Sequence, residues 1–167
     1  GATDAKKGIF EQANKGTVFL DEVGEMSREL QTKLLRFLQD GCFRRVGDEN
    51  EVRVDVRVIC TTQKDLPSMV QEGKFREDLY YRLNVLSLTL PPLRERKQDV
   101  VPLAEHFIAR FAARLGRKSP RLTEACEHFL QHYPWPGNVR QLENALYRAV
   151  TLLESNELDK DQLQLPS

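Results

Sequence analysis

The sequence is poor in cysteine: Cys42, Cys60 and Cys126 are the only three in 167 residues. An odd, widely spaced set makes neither a disulfide framework nor a zinc pattern, so a reducing, cytoplasmic setting is expected. Net charge is also absent. The 25 Lys and Arg balance 25 Asp and Glu, which excludes a long-range field that recruits nucleic acid or an acidic membrane. Long hydrophobic runs are missing too. The longest, around Thr17–Leu20 and Val56–Cys60, are far too short to span a membrane. Gly1 to Lys7 offer neither an initiating Met nor an apolar stretch, so neither a signal peptide nor a natural N-terminus is expected there. Repeats and low-complexity tracts are absent. What remains is globular: 40% apolar and 30% charged, with length enough for one domain or for a large and a small lobe.

The first part alternates strand and helix signals. Thr17–Leu20, after Gly16 and before Asp21-Glu22, reads as a buried parallel strand. Ser27 can cap a helix with Leu30, Leu34, Leu35, Phe37 and Leu38 on one face, closed by Gly41. Phe43–Val46 and Val52–Val54 suggest a hairpin with a polar tip, and Asp55–Gln63 holds a second core strand ending in polar residues. Helices are expected over about 66–72 and 76–83, then a strand over Leu86–Leu90. Pro91-Pro92 breaks the pattern, since neither residue continues a helix or a central strand. Beyond it the chain reads as helical. One helix carries Val100 to Leu115 and stops at Gly116, a second is capped by Thr123, and a third is capped by Asn138 after the Pro134–Gly137 turn. The expected fold class is α/β: a partial parallel-sheet core over 1–91 followed by an all-helical lid over 92–167.

Several residues could carry chemistry. Asp21 and Glu22 lie at the carboxyl edge of a parallel strand, where ligands of open α/β sheets bind. There an Asp can hold Mg²⁺ through water and a Glu can polarise a nucleophilic water; equally, two acids can simply end a strand. Gln63 can orient a water or touch a γ-phosphate, or be one more polar strand end. Arg76 and Arg82, six apart on a short helix, either reach a phosphate on a neighbouring subunit or pair with Glu77 and Asp78. Arg140, in the first turn of the third helix, can face a cleft or solvent. His128 and His132 have metal-capable i, i+4 spacing near Cys126 and Glu124, but no third ligand follows at a recognisable distance, which favours a plain surface helix. His106, Lys6-Lys7 and Arg117-Lys118 read as packing or solvent-facing residues, and Tyr80-Tyr81 and Trp135 as packing residues.

The joint pattern is more specific than its parts. GIFEQANKGTVFLDEV, LLRFLQDGCFRRVG, VDVRVICTTQKDL, GKFREDLYYRLNV, LPPLRERKQDV and WPGNVRQLENALYRA follow in order. Together they resemble, nearly end to end, the C-terminal two-thirds of the central AAA+ domain of bacterial enhancer-binding, NtrC-type transcription regulators. The resemblance implies ATP and Mg²⁺ as ligands. It makes Asp21 and Glu22 the Walker B pair, Gln63 sensor I, Arg76 and Arg82 arginine fingers acting on the neighbouring protomer, and Arg140 sensor II in the lid. It implies a homo-oligomeric ring, hexameric or heptameric, acting on RNA polymerase or its sigma factor, with DNA bound by a domain beyond the lid. The hairpin around Arg44–Val52 would face the pore of that ring.

Two departures qualify the resemblance. The Walker A loop, GxxxxGK[ST], is missing and in the family lies upstream of Gly1, so this stretch alone is not expected to hydrolyse ATP. The family's sigma-54-contacting GAFTGA loop would end at about Gly1-Ala2. KKGIFEQANKG, DVRVICTTQKDL and FREDLYYRLNVLSLTLPPLR look closest to a branch that answers to aromatic amino acids. Such a protein would regulate ordinary sigma-70 promoters with ATP as an effector and little turnover.

Overall fold

The chain divides into two units, Gly1–Leu88 and Thr89–Ser167. The computed structural model describes residues 8–44, 47 and 49–166, so the expectations for Gly1-Ala2, Lys6-Lys7 and tip positions 45, 46 and 48 lie outside the described residues.

In the first unit, a short helix α1 (Ile9–Gln12) leads to β1 (Thr17–Leu20). Ser27 then caps α2 (Arg28–Asp40), its Oγ accepting from the Leu30 N–H at 3.3 Å. Gly41 ends it in the left-handed region (φ 67°), its N–H donating to Phe37 O, as the sequence suggests. The antiparallel strands β2 (Cys42–Arg44) and β3 (Glu51–Arg53) follow, then β4 (Arg57–Cys60). The strand β4 lies parallel to β1, from Thr17 opposite Arg57 to Leu20 opposite Cys60. Two short helices, α3 (Leu66–Gln71) and α4 (Glu77–Leu83), complete the unit. Leu34, Leu35 and Phe37 of α2 pack with Val54, Phe75 and Leu79 into one core. Leu30, expected on that face, is exposed, and the buried place one residue on belongs to Gln31.

The run Leu86–Leu90 is not a strand. It has no ladder partner among the described residues, and Leu86, Leu88 and Leu90 are 87%, 94% and 87% exposed. Alternating apolar residues make a strand only where a neighbouring backbone supplies the hydrogen bonds.

The second unit packs α5 (Val100–Arg114), α6 (Glu124–His132) and α7 (Asn138–Leu152) around Ile108, Leu130, Trp135, Leu142 and Leu146. Each fully buried leucine of this set stabilises the fold by about 1.5–3 kcal/mol. Trp135 is wholly buried, in a left-handed backbone (φ 46°), and its Nε1–H donates to Leu130 O at 2.7 Å. Thr123 caps α6 as expected, accepting from the Cys126 N–H at 3.1 Å. Three details differ from expectation. Asn138 does not cap α7; its own φ is 50°, and its Oδ1 accepts from the Leu93 N–H at 2.8 Å. A two-residue parallel ladder, β5 (Arg121–Leu122) with β6 (Glu157–Leu158), interrupts the helices. Arg117, expected to face solvent, donates to the carbonyls of Val150, Leu153 and Ser155 and so closes the C-terminus of α7. A cation there meets the helix's unpaired carbonyls and its negative dipole end. Among the described residues no helix is long and apolar enough to cross a membrane.

Candidate functional site

The strands β1 and β4 end level, so the residues that follow them meet. Thr61 N–H donates to Leu20 O and Val23 N–H to Thr61 O, both at 2.9 Å, which extends the parallel ladder past the acidic pair. The Thr61 hydroxyl donates to Asp21 Oδ1 and accepts from the Glu22 N–H at 3.2 Å. Glu22 is left-handed (φ 53°, ψ 54°), a conformation that costs a non-glycine residue about 1–3 kcal/mol and persists where its surroundings hold it. Here the hold is double, because Glu22 Oε2 also accepts from the Gln63 N–H at 3.3 Å. Gly24, one turn on, leaves no room for a side chain: a Cβ would stand 2.9 Å from Thr62 Oγ1.

Asp21, Glu22 and Gln63 are thus brought to one edge, as their strand-end positions suggest. Thr61 is the member that sequence reasoning missed. A hydroxyl at the end of a strand facing an acid was its only signal. Asp21 is exposed and Glu22 is half-buried. The exposed Asp21 carboxylate is a hard oxygen donor of the kind Mg²⁺ takes through water.

The two candidate arginines of the first unit, Arg76 and Arg82, both return to α2. Arg76 stands just before α4 with extended backbone (φ −71°, ψ 130°), not inside the helix as its spacing suggests. Its Nε and Nη2 grip Asp78 at 3.0 and 2.8 Å, and its Nη1 donates to Thr32 Oγ1 at 3.2 Å. The Arg76 hydrogen bond holds the Asp78 carboxyl below the usual carboxylate range, and the pairing raises Arg76 in turn. Arg76 and Asp78 side chains are 33% and 49% exposed, so water screens the pair and it holds weakly. Exchanging Asp78 for a phosphate is therefore inexpensive. Arg82, in the last turn of α4, donates from Nη2 to Leu38 O at 3.1 Å.

In the second unit Arg140 is exposed in the first turn of α7. It lines an open groove of about 760 Å³ with Gln141, Asn144, Tyr147 and Arg148. Gln141 Oε1 reaches back to accept the N–H of Gly137, the residue before α7, at 2.9 Å, and among the described residues no side chain caps the first-turn N–H groups as Asn138 was expected to do. The His128 and His132 rings stack at 4.1 Å, and His132 Nδ1 lies 2.8 Å from His128 O. Among the described residues, no three His, Cys, Asp or Glu gather in a way that could hold a metal ion. Burial pushes the Cys126 thiol up to about 12, with Asp159 and Glu127 adding charge repulsion, so it is not a nucleophile.

This geometry has close counterparts. Residues 1–89 match the family described as the sigma-54 interaction domain, and residues 94–166 match the AAA+ ATPase lid domain. The HTH-type transcriptional regulatory protein TyrR of Enterobacter agglomerans is 64% identical over 165 residues, 99% of this chain and 32% of that protein. The nitrogen fixation protein AnfA of Azotobacter vinelandii is 52% identical over 156 residues, 93% of this chain and 29% of that protein. Among solved structures, NtrX from Brucella abortus in complex with ADP shares 41% identity at a TM-score of 0.88, over 96% of this chain and 37% of that one. The chain spans about a third of the length of the curated relatives it matches. It belongs to the sigma-54 interaction domain family, with an AAA+ ATPase lid domain following in the same chain.

Proposed function

We propose that this chain carries the acidic, arginine and lid parts of the nucleotide site in a ring-forming ATPase of a bacterial transcription regulator, with residues 1–91 and 92–167 as its two subdomains. The observation that carries the reading is the strained Glu22, pinned through the Thr61 hydroxyl and the Gln63 N–H beside Asp21. Backbone strain maintained at a strand edge is a feature of reacting sites. Glu22 accepts the proton of the water that attacks the γ-phosphorus, and the Gln63 side chain senses that phosphate. Asp21 would hold Mg²⁺ through water, and the ion, when bound, supplies charge neutralisation at the phosphates. Arg76 and Arg82 stabilise the transition-state charge on the nucleotide of the neighbouring subunit, and Arg140 reads the nucleotide from the lid. The output is control of RNA polymerase or its sigma factor, and DNA is bound by another part of the protein.

A second reading is favoured by the 64% identity to TyrR, against 52% to AnfA. In it ATP is an effector that drives oligomerisation, turnover is slight, and an aromatic amino acid sets the response. One variant separates the two. In the full-length protein, Glu22→Gln abolishes hydrolysis while ATP binding survives under the first reading. Under the second it leaves regulation intact, and loss of ATP binding as well removes Glu22 from the proposed role.

A further inference from the structure

Gln31 is a polar residue in the core of the first unit, 1% exposed on the inner face of α2. Both donors of its amide and its carbonyl oxygen are engaged. Its Nε2 donates to Met26 O at 3.0 Å and to Lys74 O at 3.2 Å, and its Oε1 accepts from the Arg76 N–H at 3.0 Å. One side chain thus satisfies three backbone groups from two segments. The first segment is the turn that leaves Glu22 and ends at Met26. The second is the turn 74–76 that presents Arg76. A leucine would suit the apolar stripe at this position but would leave those groups unpaired, so the residue type answers to the joint and not to the core.

The neighbours of Gln31 act on the same turn. Arg28 of α2 donates from its guanidinium to Gly73 O, and Thr32 Oγ1 accepts from Arg76 Nη1. The contacts differ in kind. Thr32 and Asp78 hold the exposed guanidinium, which can leave them, whereas Gln31 holds the backbone from which that side chain starts. The origin of Arg76 is therefore fixed while its head stays exchangeable. A long side chain asked to meet a phosphate on another subunit needs that combination, because a displacement of about 1 Å can cost about a hundredfold in rate.

We propose that Gln31 is a positioning residue: through its amide it sets where Arg76 is offered to the neighbouring subunit, and it ties that offer to the turn following the acidic pair. The proposal rests on the reading of Arg76 as acting in trans.

The test uses the full-length protein. Gln31→Met removes the three hydrogen bonds at nearly constant volume. An arginine finger is worth about 10³–10⁵ in kcat, so a misplaced one should lower kcat by at least roughly tenfold with ATP affinity unchanged. The double variant with Arg76→Ala should be no slower than Arg76→Ala alone. Mixed with Glu22→Gln subunits, Gln31→Met subunits should regain turnover, because their own acidic pair is intact and the neighbour supplies a well-placed arginine. A merely structural role would instead slow the double variant further and resist rescue, since the damage stays in the subunit that carries it. Should Gln31→Met fail to fold, Gln31→Asn keeps a neutral amide but is one methylene too short to reach all three backbone groups, and the same mixing experiment applies. Unchanged turnover, additive losses or absence of rescue overturns the proposal. Full turnover in Arg76→Ala, or none in the wild-type protein, overturns the reading beneath it.

Discussion

Thr61→Val isolates the link between the two strand ends. Valine keeps the shape of threonine and the β-branched fit to an extended segment, but it removes the hydroxyl that donates to Asp21 and accepts from the Glu22 N–H. A neutral hydrogen bond contributes about 1 kcal/mol net and one to a carboxylate about 1.5–3 kcal/mol when sheltered. Asp21 is exposed, so water screens its bond to below that sheltered range, and the combined loss is about 1–2 kcal/mol. That is comparable with the cost of about 1–3 kcal/mol for holding Glu22 left-handed, so without Thr61 the held conformation becomes one of several. Each 1.4 kcal/mol is about tenfold in rate, which sets the expected fall in kcat at roughly tenfold. In steady-state ATPase measurements on the full-length protein, KM for ATP should hardly move, and Thr61→Ser should restore most of the rate. A kcat within about twofold of wild type for Thr61→Val refutes the reasoning, on the same scale. So does a Thr61→Ser variant as slow as Thr61→Val.

Three further outcomes are expected. Arg82→Ala should lose turnover in the full-length protein yet recover part of it when mixed with Glu22→Gln subunits; a mixture no faster than its components counts against an arginine acting across subunits. Cys126, with its thiol pushed up to about 12 by burial and nearby acids, should react with a thiol reagent at pH 8 only on unfolding, whereas the half-buried Cys42 should label in the native protein. Asp159 lies below the usual carboxylate range, chiefly because the Thr123 hydroxyl donates to it at 2.7 Å and next because of the Lys160 N–H. Its native value being the lower one, its stabilisation is complete above the ordinary carboxylate range and vanishes as the pH falls through the native value. Urea unfolding followed by the fluorescence of the single Trp135 should therefore show wild type more stable than Asp159→Asn at neutral pH, with the two converging in acid.

Much of the fold and of the site was legible in the chain, for identifiable reasons. The helix α2 declared itself by Ser27, Gly41 and the stripe of Leu34, Leu35 and Phe37, all local features with local causes. The parallel pair β1 and β4 was legible because both are short apolar runs followed by polar residues, and their level ends carry Asp21, Glu22 and Gln63 to one edge. The motif order from Gly8 to Asn144 carried the family. What the sequence could not disclose were the roles assigned by distant partners. Gln31 stands beside a leucine stripe with no local mark of burial, yet it is buried because Met26, Lys74 and Arg76 converge on it. Thr61 gained its part from Asp21, forty residues away in the chain. Asn138 had every mark of a helix cap and was claimed by Leu93, while Arg117 took the end of α7. Leu86–Leu90 had the alternation of a strand and no backbone among the described residues to pair with. Local propensity and periodicity act within a turn or two, so residues alone determine helices, strand candidates and caps. Which polar group meets which is decided when segments far apart in sequence are packed, because a buried donor or acceptor takes the partner that tertiary structure puts within reach.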